Sequence, residues 1–164
     1  MKRMNKSGQQ TMGMPFGMIF AIFLIVVFVV IAFIAVRGFL DIGETSGIGL
    51  FYDELQDAVN EAWSQQSGES DFKINLPSGI EEVCFGNLSN NPSQNPKYKN
   101  ILKYDVYDAN TFLLPPEKAQ GMSWKLIEHI NITKITELKN PYCVPVKKGL
   151  TMKKDFYDKL VSIE

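Results

Sequence analysis

Residues 15–36 read PFGMIFAIFLIVVFVVIAFIAV, with no charged, amide or hydroxyl side chain among them. At about 1.5 Å rise per residue, a helix over this stretch is roughly 33 Å long. A bilayer's hydrocarbon core is about 30 Å thick, so the run is long enough to cross it. Lipid offers no partners to unpaired backbone groups, and a single segment therefore crosses only as a helix. Residues 15–37 are expected to form a transmembrane helix, with the lipid bilayer as its first partner.

The flanks set the orientation. Lys2, Arg3 and Lys6 precede the run without any acid, whereas only Arg37 follows it before Asp41 and Glu44. The positive-inside bias keeps the N-terminus cytoplasmic and places the chain from about residue 38 outside the cell membrane. A cleaved secretory peptide is the competing reading. Its apolar region is usually about 7–15 residues and ends at a small-residue site. This run is longer, and Arg37-Gly38-Phe39 is a poor cleavage site, which favours a retained signal anchor. Within the span, Gly13, Gly17 and Ala21 recur every fourth residue. Such a stripe lets a second membrane helix approach closely, although Gly and Ala are also ordinary residues of membrane helices.

Ahead of the span, Lys6 supplies a positive charge, Gly8 is followed by Gln9, and Thr11 stands two residues further on. In these features the first forty residues resemble an archaeal type IV pilin precursor. The leader of that family ends in a basic residue and Gly before Gln, with Ser two residues later, then Glu, then the apolar helix. Ser7 intervenes here between Lys6 and Gly8, and Gly13 stands where the family usually carries Glu. The resemblance implies processing between Gly8 and Gln9, a pilin-like architecture of helix followed by β-rich head, and like subunits or other envelope proteins as partners through the membrane helix.

Beyond the span, Gly43, Gly47 and Gly49 predict an interruption of the helix at residues 41–49. The period then becomes that of an amphipathic helix. Ile48, Phe51, Leu55, Val59 and Ala62 share one face, with Trp63 beside them, while Asp53, Glu54, Gln56, Asp57, Asn60 and Glu61 take the other. Gly68 is expected to end it. The apolar face can be covered by the chain's own sheet or by a docking partner. From residue 38 to residue 72 there is no Lys or Arg, whereas every cation after Arg37 is a Lys from Lys73 onward. Opposite fields of this kind either steer a neighbouring subunit or amount to a solvated helix face beside a Lys-bearing head. Without an external Arg, the forked donor that reads phosphate and guanine is missing, and nucleic-acid binding is not expected.

Residues 72–164 read as a small β-rich head. Strands are expected at 72–76, 80–85, 102–106, 111–114 and 142–146, at 126–135 where helix is the alternative but β-branched density favours strand, and at 151–161 with a short helix as the alternative for the tail. A polar loop is expected at 86–100, one helical turn at 117–120 and a closing hairpin turn at 147–149. The organisation is thus a cytoplasmic N-terminus or leader (1–14), a transmembrane helix (15–37), a hinge and amphipathic helix (38–71) and an extracytoplasmic head (72–164). The fold class is α+β, with a transmembrane helix continued by an amphipathic helix that packs on a small antiparallel β-rich head.

Cys84 and Cys143 are the chain's two cysteines. An even count in an external domain favours a disulfide over two buried thiols. A metal site is not expected, because His129 is the single histidine and the spacing supplies no tetrahedral set. Asn87-Leu88-Ser89 and Asn131-Ile132-Thr133 match the glycosylation acceptor pattern, with Asn87 favoured by its place in the polar loop. No phosphate-cradling glycine loop, paired-His metal motif or nucleophile elbow occurs. The acid pairs Asp53-Glu54 and Glu81-Glu82 point to different faces of a helix or strand. A surface protein without catalytic activity or cofactor is expected. It is read as either a pilin-like subunit or a monomeric anchored module that binds a ligand, a polymer or an envelope protein.

Overall fold

The computed structural model describes residues 13–89 and 95–164. Its long N-terminal helix α1 (Gly13–Ser64) precedes small antiparallel sheets, an α+β arrangement. The chain falls into two compact units that meet at Ile42 and Gly43.

In the first unit the helix exposes large apolar side chains along its whole described length, from Leu24 at 37% to Phe39 at 76%. Arg37 near the end of the run lies over the Phe33 ring, 4.4 Å from its centroid. Among the described residues, α1 is the one helix long and apolar enough to cross a membrane.

In the second unit α1 behaves differently, because its apolar residues now share one face. Ile48, Phe51, Tyr52, Leu55, Val59 and Ala62 are buried, while Asp53, Glu54, Asp57, Asn60 and Glu61 stay exposed. Backbone through residues 41–49 is helical, so the expected interruption there is corrected. A helical Gly costs about 1 kcal/mol relative to Ala, and packing explains at least one of them. A Cβ on Gly47 would stand 3.2 Å from Pro77 Cγ, so the glycine admits close approach of the loop that carries Pro77. The helix ends at Ser64, before Gly68. Its last turn leaves carbonyls without partners. Lys154 fills that gap, donating to Trp63 O and, at 2.8 Å, to Gln65 O.

Two sheets form the head. Strands β1 (Gly68–Phe72), β6 (Leu150–Lys154) and β7 (Ser162–Ile163) make one, in the order β1-β6-β7. Strands β2 (Glu82–Phe85), β3 (Thr111–Leu114), β4 (Trp124–Lys125) and β5 (Tyr142–Pro145) make the other, in the order β4-β3-β2-β5. All these named pairs are antiparallel. The hairpin expected at residues 147–149 is therefore a crossover between sheets: β5 pairs β2, and β6 pairs β1. Gly149 makes the corner at φ +77°, where a Cβ would meet Phe72 O at 3.0 Å.

Side-chain alternation gives the larger sheet two buried faces. Val83, Phe85, Leu113 and Val144 join the α1 stripe in the main core. Cys84, Phe112 and Leu114 face a second cluster with Tyr98 and Ile101. Those last two belong to α2 (Pro96–Leu102), a helix that begins inside the segment expected to be an irregular loop. Its start is specified locally, with Asn95 accepting from Lys97 N at 3.1 Å and Pro96 at the first helical position.

Three other expected strands are corrected. Residues 72–76 leave the sheet after Phe72. Residues 102–106 end α2 and enter a 3₁₀ turn at Asp105–Tyr107. Residues 126–135 make a single parallel bridge, Ile130 to Val161, and then the short helix α3 (Ile132–Ile135) capped by Asn131. Here a cap outweighs the β-branched composition. The tail forms neither a continuous strand over 151–161 nor a helix, because a turn at residues 155–158 separates β6 from β7.

Candidate functional site

The disulfide site is built by register. Cys84 in β2 faces Cys143 in β5 across the antiparallel ladder, with Cα atoms 4.0 Å apart. The close spacing belongs to a pair that does not exchange backbone hydrogen bonds. The two are joined as a disulfide, with Cys84 buried against the α2 cluster. Glu82 brings a carboxylate within 4.8 Å of both sulfurs. A bridged pair offers no thiolate to a metal, and Glu82 is engaged by the Lys97 ammonium.

The other singled-out residues are dispersed. Gly8 and Gln9 lie outside the described residues. Gly13 opens α1, and Gly17 and Ala21 are exposed on it, with nothing within 4 Å of a Cβ placed on Gly17. Asn87 is half-buried, and its side-chain oxygen accepts from Ser89 N at 3.1 Å. Its backbone exchanges bonds with the Asn140 amide, at 3.0 and 2.7 Å. Asn131 is half-buried as the cap of α3, accepting from Lys134 N at 3.1 Å. The acid pairs form no constellation: Asp53, Glu54 and Glu81 are exposed, and Glu82 belongs to the ion pair above.

His129, which the sequence places on the surface of a strand rather than as a base, is a half-buried packing residue. Its ring stacks on Trp63, centroids 3.9 Å apart and planes within 7°, and its backbone sits at φ +65°. That left-handed conformation costs a non-glycine residue roughly 1–2 kcal/mol, and the stack holds the ring there. Trp63 Nε1 donates to Lys159 O at 3.1 Å, Gln56 Oε1 accepts from Glu128 N at 2.8 Å, and Tyr52 Oη donates to Met122 O at 3.0 Å. Three side chains of α1 thus tie it to loops of the head. Burial, and secondarily the nearby Tyr104, push the Tyr52 phenol well above its ordinary range.

Among the hollows on the head's surface, two differ clearly in their lining. One, about 560 Å³, lies where β1 and β6 meet the 146–149 turn and carries Lys73, Lys147 and Lys148 together with Asp71 and Glu164. The other, about 440 Å³, is more apolar and lies between α3, β5 and β7. In the first, Thr151 Oγ1 donates to the Asp71 carboxylate at 3.0 Å; the charged groups of the second are Lys134, Lys139, Glu137 and Glu164. Compared with known protein families, curated proteins and solved structures, the chain matches none.

Proposed function

We propose that this chain is a non-enzymatic, single-pass membrane protein that displays its disulfide-stapled head outside the cell as a pilin-like subunit. The observation that carries the reading is the first unit of α1, whose large apolar side chains stand uncovered on all sides. Each costs about 1.5–3 kcal/mol to leave in water rather than bury, and a lipid surround removes that cost. Lys2, Arg3 and Lys6 against Arg37 favour a cytoplasmic N-terminus. The pilin-like part is supported by the continuation of α1 into a helix that packs on antiparallel sheets. The residue that departs from the pilin pattern, Gly13, favours the second reading of a monomeric anchored binding module.

Protease added to intact cells should remove the head while leaving a membrane-embedded stub. A head that is cut only after lysis refutes the orientation. N-terminal sequencing of the membrane-extracted chain separates the remaining readings. A start at Gln9 supports pilin-type processing and a start at Met1 a plain anchor. A start beyond Arg37 shows a removed signal and overturns the proposal.

A further inference from the structure

Asn87-Leu88-Ser89 and Asn131-Ile132-Thr133 carry the same acceptor pattern, and the fold sets them on different backbones. The first follows the last residue of β2, Phe85, and lies in neither helix nor strand. Ser89 N donates to Asn87 Oδ1 at 3.1 Å. An Asn side chain bonded to the backbone two residues on makes a local turn, and the bond engages the amide's oxygen, not its nitrogen. Asn87 and Ser89 also line one hollow of about 190 Å³, beside Asp105 and Asp108. The amide and the hydroxyl two residues on therefore border the same space, where two carboxylates can accept from sugar hydroxyls.

The second triplet begins α3. Asn131 Oδ1 accepts from Lys134 N at 3.1 Å, three residues on, as a helix cap, and Ile132 and Thr133 form the first turn. Asn131 O accepts from Ile135 N at 3.0 Å, and Ile132 O from Thr136 N at 3.0 Å and Thr136 Oγ1 at 2.7 Å. Ile135, which closes the turn, is buried. Asn131 and Thr133 border a hollow of about 510 Å³, so room does not separate the two triplets. Backbone does.

We infer that Asn87 is the head's site of N-linked glycosylation, added to the folded chain, and that Asn131 stays unmodified. The donor is an oligosaccharide linked through phosphate to a membrane lipid, and the catalyst a membrane-bound transferase facing outward. In the transfer a bond forms between Asn87 Nδ2 and C1 of the first sugar, while the C1–O bond to phosphate breaks. The lipid phosphate leaves with the electron pair, and Nδ2 gives one proton to a base of the transferase. A carboxamide nitrogen is a poor nucleophile because its lone pair is shared with the carbonyl. The transferase must therefore grip the side chain and the nearby hydroxyl together, which requires a strip of backbone free of helix. Asn87 meets that requirement where it stands. Presenting Asn131 would unwind α3 and draw Ile135 from the core. A glycan is bulky and solubilising, which suits a loop at the end of β2. The inference rests on the proposed external placement of the head.

The test uses the full-length chain in its own host, with Gly-Asn-Gly-Thr appended after Glu164 as an unstructured acceptor. Peptides of the membrane-extracted chain are weighed for mass added in whole sugar units. Asn87 and the tail should carry sugar, and Asn131 none. Ser89→Ala keeps the backbone bond to Asn87 but removes the hydroxyl, so it should abolish the mass on Asn87 and spare the tail; Ser89→Thr should restore it. Sugar on the tail without sugar on Asn87 overturns the inference. Sugar on Asn131 overturns it too, because transfer then precedes folding. Sugar at none of the sites also overturns it, and protease added to intact cells shows whether the placement falls with it. A head cut under those conditions keeps the placement; a protected head refutes both.

Discussion

Replacing both bridged cysteines with alanine tests how the head, an assembly of two small sheets, is held. Cys84 and Cys143 are 59 residues apart in sequence. Cross-linking a loop of that length removes about 14 cal/mol/K of entropy from the unfolded chain, or roughly 4 kcal/mol at 25 °C on a chain-entropy argument. Domain stabilities usually fall at about 5–15 kcal/mol, so the expected loss is a large share of the total. A fragment beginning at Gly43 serves for the measurement, because every core residue lies from Ile48 to Ile163. Trp63 on α1 and Trp124 on β4 report unfolding by fluorescence. With a urea slope near 2 kcal/mol/M, Cys84→Ala/Cys143→Ala should lower the midpoint by about 2 M. The slope should rise slightly, since an uncrosslinked unfolded chain exposes more surface. The fold itself should survive, because β2 and β5 are paired by backbone bonds independently of the sulfurs. A midpoint shift corresponding to less than about 1 kcal/mol would refute loop closure as the source of stability.

Other perturbations probe the α1 seam. Leu55 is fully buried in the main core, so Leu55→Ala should cost about 2–5 kcal/mol in the same unfolding assay; no change would mean that the head does not cover the stripe. Lys154→Met removes the two bonds to the end of α1 and should cost roughly 1–2 kcal/mol, with faster amide exchange confined to the last turn of the helix. Burial raises the Tyr52 phenol above its ordinary value of 10.0, so the folded state holds a proton that the unfolded state releases. Stability should be level below about pH 10 and fall above it, by up to about 1.4 kcal/mol per pH unit for this group. Tyr52→Phe should lessen that alkaline fall while costing about 1 kcal/mol at neutral pH for the lost bond to Met122. An unaltered alkaline limb in the variant would assign the effect to other groups, Tyr98 among them, whose phenol burial also raises.

What was legible in the sequence follows from where burial is one-sided. The α1 stripe could be read because Ile48, Phe51, Leu55, Val59 and Ala62 repeat at helical spacing, and all five are buried. Strands β2, β3 and β5 lie within the expected segments, since each joins apolar residues between turn signals. Strand β1 was not legible. Its residues GESDF are mostly exposed, and it is a strand because β6 pairs with it residue by residue, which no local pattern announces. The short helices α2 and α3 were hidden by composition, yet both begin at an Asn whose side chain accepts from the first turn. A cap outweighed propensity there, and the cap was visible. Of the site features, the pairing of two cysteines could be anticipated from an even count. The exposed Phe156–Tyr157 corner of the 155–158 turn could not, because a turn with aromatic corners reads as strand until its partners are known.

The glycines of α1 separate local preference from packing most clearly. Gly43, Gly47 and Gly49 together predict a break, and the backbone is helical through them. A helix tolerates such residues when neighbouring structure fixes it, and the seam between α1 and the sheets does so through Ile48, Phe51 and Tyr52. Gly47 is then favoured by the close approach of Pro77, 3.2 Å from where a Cβ would stand, rather than by flexibility. The acidic face opposite carries a different constraint. Among the described residues, Asp53, Glu54, Asp57 and Glu61 are exposed, and no ion pair joins them to the head's lysines. Exposed charges of this kind contribute little to stability, and their field is screened beyond about 8 Å at physiological salt. Their effect therefore falls on what approaches the helix, favouring basic surfaces and opposing acidic ones. The two faces of one helix thus differ in kind, the apolar face packing on the sheets and the acidic face standing in solvent.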